Sequence, residues 1–132
     1  MYRVAALLLL LGLSACSSPE KLVCSHWQAS EVKFTARSQY NLPEQNQMRY
    51  TITRDTKFQF KRDSVYELVT NGTQRQGTWW LSVDKKKLYT VLDGDTSTSI
   101  ITTLTKKVFA FDPQNDAGEI EAIICYPATT AK

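Results

Sequence analysis

The most reactive side chains of this sequence belong to three cysteines and one histidine. Cys24 and His26 stand two positions apart and could supply two metal ligands, with Cys125 as a third. Structural zinc needs four ligands and catalytic zinc three, so an ordinary histidine beside the first strand is the preferred interpretation. No known motif surrounds a serine or cysteine nucleophile, and the paired acids Asp93 and Asp95 flank a turn glycine. The sequence therefore predicts no metal, no cofactor and no enzyme.

The first sixteen residues have the pattern of a cleaved export signal that ends in a cysteine. Residues 1–3 carry one positive side chain, and the apolar run 4–13 is shorter than the ~20 residues that cross a bilayer. The segment Leu13-Ser14-Ala15-Cys16 resembles the lipobox of bacterial lipoproteins. That resemblance implies cleavage before Cys16 and acylation of its thiol and amine with chains such as palmitate, which anchor the protein in a membrane. The alternative is an ordinary secreted protein with an incidental cysteine.

The residue after Cys16 indicates in which membrane the protein is anchored. Ser17 stands there instead of aspartate, and by resemblance to the sorting rule of enteric bacteria this implies the outer membrane, with the leaflet left open. The net charge is only +3 and its signs are interspersed, which gives no indication of a nucleic-acid partner. We expect a signal peptide at 1–15, a lipidated tether at 16–22, one folded domain at 23–127 and a tail at 128–132.

Cys24 and Cys125 remain if Cys16 is acylated. An even pair of cysteines in an oxidising compartment predicts a disulfide, which would place the first and last ordered segments side by side. A pair of buried free thiols is the alternative, since Cys125 lies in an apolar run.

Most of the chain has the pattern of short strands separated by turns. Asn71-Gly72 and Asp93-Gly94 each predict a tight hairpin, because a type I′ turn needs two residues with positive φ. Residues 41–47 are polar and predict a loop, and the alternation of Met48, Tyr50 and Ile52 predicts a strand after it. Eight or nine strands with sequential hairpins indicate an all-β fold, either a sandwich or an antiparallel up-and-down barrel of about eight strands. The barrel is favoured because it leaves no exposed strand edge.

Three motifs then resemble the small lipocalin-like domains of bacterial lipoproteins. They are Phe58-x-Phe60-x-x-Asp63-x-x-Tyr66, Gly77-Thr78-Trp79-x-Leu81 and Ile101-x-x-Leu104-Thr105, with Trp27 where an early tryptophan is common. Ser64 follows Asp63 where the family has glycine, so we expect that turn to differ. The resemblance implies a small barrel of about eight strands and no particular activity.

The interior of such a barrel is either a packed core or a cavity for one ligand. Strand parity predicts that one set of side chains points inward and that Trp80 faces outward. The inward set consists of Phe58, Phe60, Tyr66, Leu68, Trp79, Leu81 and Val83. The candidate cavity residues are Phe58, Phe60, Tyr66, Trp79 and Leu81.

Three functions are consistent with these patterns. The first is a membrane-anchored lipocalin-like lipoprotein of the cell envelope that binds a small apolar or amphiphilic ligand. The second is a non-catalytic accessory or scaffold lipoprotein that docks on another envelope protein, for example through Trp80. The third, an inhibitor of a hydrolase, has no supporting loop motif.

Overall fold

A computed structural model describes residues 18–114 and 118–128 as eight strands and two helices. Each strand pairs antiparallel with the next along the chain, and the eighth returns to pair with the first, so the sheet is a closed up-and-down barrel. The predicted all-β barrel is confirmed. The elements are α1 (Pro19–Val23), β1 (His26–Phe34), α2 (Leu42–Asp55), β2 (Thr56–Phe60), β3 (Val65–Thr70), β4 (Thr73–Leu81), β5 (Lys87–Leu92), β6 (Asp95–Leu104), β7 (Phe109–Pro113) and β8 (Ile120–Pro127).

Two hairpins form where the turn residues predict them. Asn71 and Gly72 have φ of 50° and 77°, and Asp93 and Gly94 have φ of 53° and 82°. Both turns lie at the same end of the barrel, which we call the open end. The other end, which we call the closed end, holds α1 and the β2–β3, β4–β5 and β6–β7 connections.

Closure of the barrel depends on β1 and β8. Ala29 pairs with Cys125 and Val32 with Ile123, with bulges that adjust the register along the two strands. These four side chains face the interior and are buried. β1 pairs with β2 only over His26–Gln28, and α2 lies beside the part of β1 that follows, where Arg49 donates to the carbonyl of Val32.

Close packing of two strands explains the glycine of the Gly77-Thr78-Trp79 motif. A Cβ atom at Gly77 would lie 1.8 Å from the backbone oxygen of Val91, far inside van der Waals contact. Only glycine therefore lets β4 and β5 approach at this point of the barrel.

The predictions for residues 41–53 are wrong. A loop and then a strand through Met48, Tyr50 and Ile52 were expected, whereas the structure has the helix α2 from Leu42 to Asp55. Asn41 caps the helix by accepting a hydrogen bond from the amide of Glu44 (2.9 Å), and a proline occupies the first turn, where its missing N–H costs nothing.

Polar contacts attach α2 to the barrel. The side-chain amide of Gln28 donates to the carbonyl oxygens of Thr53 (3.0 Å) and Thr56 (3.2 Å). Farther along β1, Arg49 Nε donates to the carbonyl of Val32 (3.2 Å), and its guanidinium lies over the ring of Phe34. No residue of α2 is fully buried, although Ile52 packs against the barrel core, so these hydrogen bonds and that one apolar contact position the helix.

The closed end is filled by α1 and aromatic side chains. Val23 of α1 is fully buried, and its carbonyl accepts a hydrogen bond from the indole Nε1 of Trp27 (3.1 Å). The stretch predicted as a tether is thus partly helical. Val83, predicted to face inward with Trp79 and Leu81, is instead fully exposed, because β4 ends at Leu81 and Val83 lies in the following turn.

Neither helix in residues 18–114 and 118–128 has the length and apolar content needed to cross a membrane.

Candidate functional site

The interior of the barrel contains a cavity of about 390 Å³ toward the open end. Three of the five predicted cavity residues, Phe58, Phe60 and Tyr66, line it. The other two, Trp79 and Leu81, do not: they border a groove on the outside of the closed end. Strand parity was sufficient to find the inward face, but not to divide it between the packed and hollow parts of the barrel.

The inner wall of the cavity is apolar and its rim is polar. The apolar wall is completed by Ile52, Leu68, Leu88, Leu92, Phe109, Phe111, Pro113 and Ile123. Hydroxyl groups and one cation lie among the remaining lining residues, which are Thr56, Thr70, Arg75, Thr90, Ser97, Thr98 and Ser99. Such an apolar chamber with a few polar groups suits one small amphiphilic molecule.

Arg75 is the only cation that lines this cavity within the described residues. It lies on β4 opposite Leu68, and its Nη1 is 3.3 Å from Oδ2 of Asp93 in the β5–β6 hairpin. Its side chain is 46% exposed, so the charged group lies at the mouth, partly in water. Sequence reasoning missed Arg75, although its even spacing from Gly77 and Trp79 on the same strand would have placed it on the inward face.

Closed-end packing limits the cavity to part of the interior. The ring of Phe109 lies 5.6 Å from that of Trp27 and 5.9 Å from that of Phe60, and Phe60 is 5.7 Å from Trp79. The Trp79 indole also donates a 2.8 Å hydrogen bond to the carbonyl of Lys61. The two expected alternatives therefore both occur: a packed core at one end and a hollow at the other.

Tyr66 lies between these two parts, stacked on Phe60 with ring centroids 5.1 Å apart. Burial raises the pKa of its phenol well above the usual value, and the nearby charge of Arg75 acts in the opposite direction. The phenol is therefore a neutral group of the cavity wall, which favours an uncharged part of a ligand beside it.

The predicted disulfide between Cys24 and Cys125 is not formed in the structure, where both are free thiols. Cys125 points inward from β8 opposite Phe109, and burial raises the pKa of its thiol to about 12. Cys24 caps the end of α1 and is only partly buried. Cys24 nevertheless packs against the core cluster that contains Cys125, with no bond between the two sulfur atoms.

His26 is an exposed residue at the start of β1, paired with Gln59 on β2. Among residues 18–114 and 118–128, no group of three or more His, Cys, Asp or Glu side chains could hold a metal ion. Cys16, the predicted lipidation site, lies outside the described residues.

The groove outside the closed end has a volume of about 500 Å³ and includes Cys24, Arg62 and Trp80. Trp80 faces outward, as strand parity predicts, with 45% exposure, and its ring stacks on Tyr89 at 5.3 Å between centroids. This groove joins charged and aromatic groups on the outer surface, in contrast to the mostly apolar interior cavity.

The fold and the cavity define the chain as an eight-stranded up-and-down barrel with an interior chamber that opens at one end. No model of a known protein family matches the chain, and no curated protein sequence matches it significantly. Proposals about function therefore depend on the residues and geometry described above.

Proposed function

We propose that this protein is a membrane-anchored, lipocalin-like lipoprotein of the bacterial cell envelope that holds one small amphiphilic ligand. The observation that carries the proposal is the cavity of about 390 Å³ with an apolar wall and a cationic mouth. Its volume falls within the ~300–1,000 Å³ of small-molecule sites. The export signal and the lipobox-like Leu13-Ser14-Ala15-Cys16 support a lipid anchor, and Ser17 supports the outer membrane.

The arrangement of the cavity selects the kind of ligand. Phe58 and Phe111 meet edge to face at 5.7 Å in the wall, which offers apolar contacts to a hydrocarbon chain. The guanidinium of Arg75 at the mouth offers charge-assisted hydrogen bonds to a carboxylate or another acidic head group, in competition with Asp93. The ligand we propose is therefore fatty-acid-like, with its chain inside and its acidic end at the mouth.

Binding of a fluorescent fatty acid tests this function. The protein used for the test begins at Ser17 and therefore carries no acyl chains. Its affinity for the fatty acid is compared with its affinity for the methyl ester. Arg75→Gln should weaken binding of the acid about tenfold, the loss expected for one charge-assisted hydrogen bond, and leave the ester unaffected. Arg54→Gln, on the exposed side of α2, is the matched control. Absence of binding to either probe would contradict a ligand-binding role.

Intact-mass spectrometry tests the anchor. Protein extracted from bacterial membranes should begin at Cys16 and carry the mass of diacylglycerol and an amide-linked acyl chain. A chain that retains Met1, or that begins at another residue without lipid, would contradict the proposed lipoprotein identity.

A second function, docking on another envelope protein as a non-catalytic accessory or scaffold lipoprotein, is supported by the exposed Trp80–Tyr89 stack. It predicts crosslinking to one partner that is lost with Trp80→Ala and kept with Tyr40→Ala, another exposed aromatic residue. Recovery of the same crosslinks from both variants would contradict it.

A further inference from the structure

We infer that the closed end of the barrel is a docking surface for a bilayer that contains anionic phospholipids, so that the cavity mouth points away from the membrane. This orientation rests on the proposed anchor at Cys16 but is a separate property of the folded domain. Four observations carry it: the charge of the closed end, the contrasting charge of the open end, the length of the tether, and an exposed apolar residue in the same surface.

The closed end is strongly basic. Its segments 18–25, 61–64, 82–87 and 105–108 contain eight lysines and arginines and three acidic residues. Two of those acids are already engaged, because Glu20 is paired with Lys85 and Asp84 accepts hydrogen bonds from Ser82 and from the amide of Lys86. A surplus of exposed positive charge therefore faces outward from this end.

Four of these lysines are fully available to a membrane. Lys86, Lys87, Lys106 and Lys107 are all exposed, and none forms a salt bridge with another described residue. They lie on two adjacent connections, since the 82–86 turn follows β4 and the 105–108 segment follows β6, whose partner β5 begins at Lys87. Lysines grouped in this way bind phospholipid head groups of negative charge.

The open end has the opposite balance. Its segments 35–55, 70–73, 92–95 and 118–119 carry five acidic residues and three basic ones. The hairpin beside the cavity mouth contains Asp93 and Asp95 and no basic residue. With Arg75 of the mouth included, which pairs with Asp93, the open end is close to neutral, so an anionic surface attracts the closed end and offers no comparable attraction to the mouth.

The proposed anchor meets the barrel at the basic end. Ser18 caps the N-terminus of α1 there, and only Ser17 separates it from Cys16. Two residue steps span at most about 7 Å, so an acylated Cys16 must hold the closed end close to the head groups. Such a short tether leaves the open end no means of turning toward the same membrane.

Val83 gives this surface an apolar contact. Its side chain is 99% exposed in the turn after β4, two residues before Lys85. A valine next to lysines can enter the interface between head groups and acyl chains, whereas in water it is a cost to solubility.

Lysine footprinting of the mature acylated protein on vesicles tests the orientation. Vesicles of phosphatidylcholine are compared with vesicles that also contain phosphatidylglycerol, and acetylation is measured by mass spectrometry. We expect Lys86, Lys87, Lys106 and Lys107 to react about fivefold more slowly on the anionic vesicles, the factor expected for one lysine held at such a surface. Lys33 and Lys57, away from the closed end, should react equally on both.

A variant pair checks that charge is the cause. Lys86→Gln with Lys107→Gln should remove most of the protection of Lys87 and Lys106, and Lys33→Gln with Lys57→Gln should leave it intact. Equal acetylation on both vesicles, with the protein floating with them, would overturn the inference and leave the anchor standing. Failure to float with any vesicle would contradict the anchor and this orientation together. Protection of Lys33 and Lys57 instead of the closed-end lysines would also overturn it.

Discussion

Ser64 has a backbone conformation that usually belongs to glycine. Its φ is 67°, in the left-handed region, at the position where lipocalin-like motifs have glycine. Two backbone hydrogen bonds hold the turn. The carbonyl of Ser64 accepts a hydrogen bond from the amide of Trp79 (3.0 Å), and the amide of Ser64 donates one to the carbonyl of Lys61 (3.1 Å). The sequence led us to expect a different turn, whereas serine takes the left-handed conformation that glycine adopts readily.

Replacement of this serine is therefore expected to stabilise the protein. A non-glycine residue in the left-handed region costs roughly 1–2 kcal/mol, and glycine restores about half of that after its larger loss of chain entropy. Ser64→Gly should raise the free energy of unfolding by about 0.5–1 kcal/mol, measured by urea denaturation. Asn71→Gly is the control, since asparagine tolerates the same conformation better and should gain less. A lower stability for Ser64→Gly would contradict this account of the turn.

Tyr66 predicts how stability depends on alkaline pH. Because burial raises its pKa in the folded state, the phenol loses its proton more readily when the chain is unfolded. The stabilisation from neutral Tyr66 is fully present below the unfolded pKa of about 10 and is lost as the pH rises above it. Tyr66→Phe should therefore lose less stability than the wild type between neutral and strongly alkaline pH, measured by urea unfolding. Tyr40→Phe, at an exposed position, should follow the wild type, and equal alkaline losses in both variants would refute the assignment.

At the scale of elements, α2 shows what a sequence pattern cannot convey. The alternation of Met48, Tyr50 and Ile52 imitates a strand, and the apolar stripe that usually identifies a helix is absent because α2 has no fully buried residue and only Ile52 packs against the core. Its position depends on hydrogen bonds to β1, which a local sequence pattern does not display. The local signal that remained was Asn41 followed by Glu44, a capping pair.

That pair supplies a test of the helix. Asn41 accepts the amide of Glu44 and donates to its carboxylate (3.1 Å), which satisfies groups that the first turn leaves unpaired. Asn41→Ala should destabilise α2 by about 1 kcal/mol and increase hydrogen exchange in 42–55 while the barrel strands stay protected. Gln47→Ala, at an exposed position in the middle of the helix, is the control. Unchanged exchange in α2 would mean that the contacts with β1 alone hold the helix.

The strands were predictable because each buries one face, so that a two-residue period appears in the sequence. The same period found Phe58, Phe60 and Tyr66 as cavity residues. It could not find the limit between core and cavity, because that depends on the register of β4 against β3 and β5 and on α1, which fills the opposite end. The two-residue period also gives no information on the volume inside the barrel, so only the closed structure reveals the chamber.

At the scale of the whole molecule, the barrel is divided into two parts with different physical roles. Side chains around Phe109 fill the closed end, where Trp27 and Cys125 are fully buried. Toward the open end, Phe58 faces the chamber and is only half-buried. The packed core and the chamber thereby occupy opposite ends of one continuous sheet, and the basic surface lies at the packed end.

Two identical substitutions should separate these roles. Phe109→Ala removes a fully buried ring and leaves a void among Trp27, Phe60 and Phe111, so it should cost about 3–5 kcal/mol of unfolding free energy. Phe58→Ala enlarges a chamber that is already open, and it should cost about 1–2 kcal/mol because the ring is only partly buried at the start. Urea unfolding measures both losses, and titration with the fluorescent fatty acid should show weakened binding for Phe58→Ala. Equal losses of stability would mean that the chamber is packed in solution, since a partly exposed ring has fewer contacts to lose than the fully buried ring of Phe109 at the inner end of the cavity.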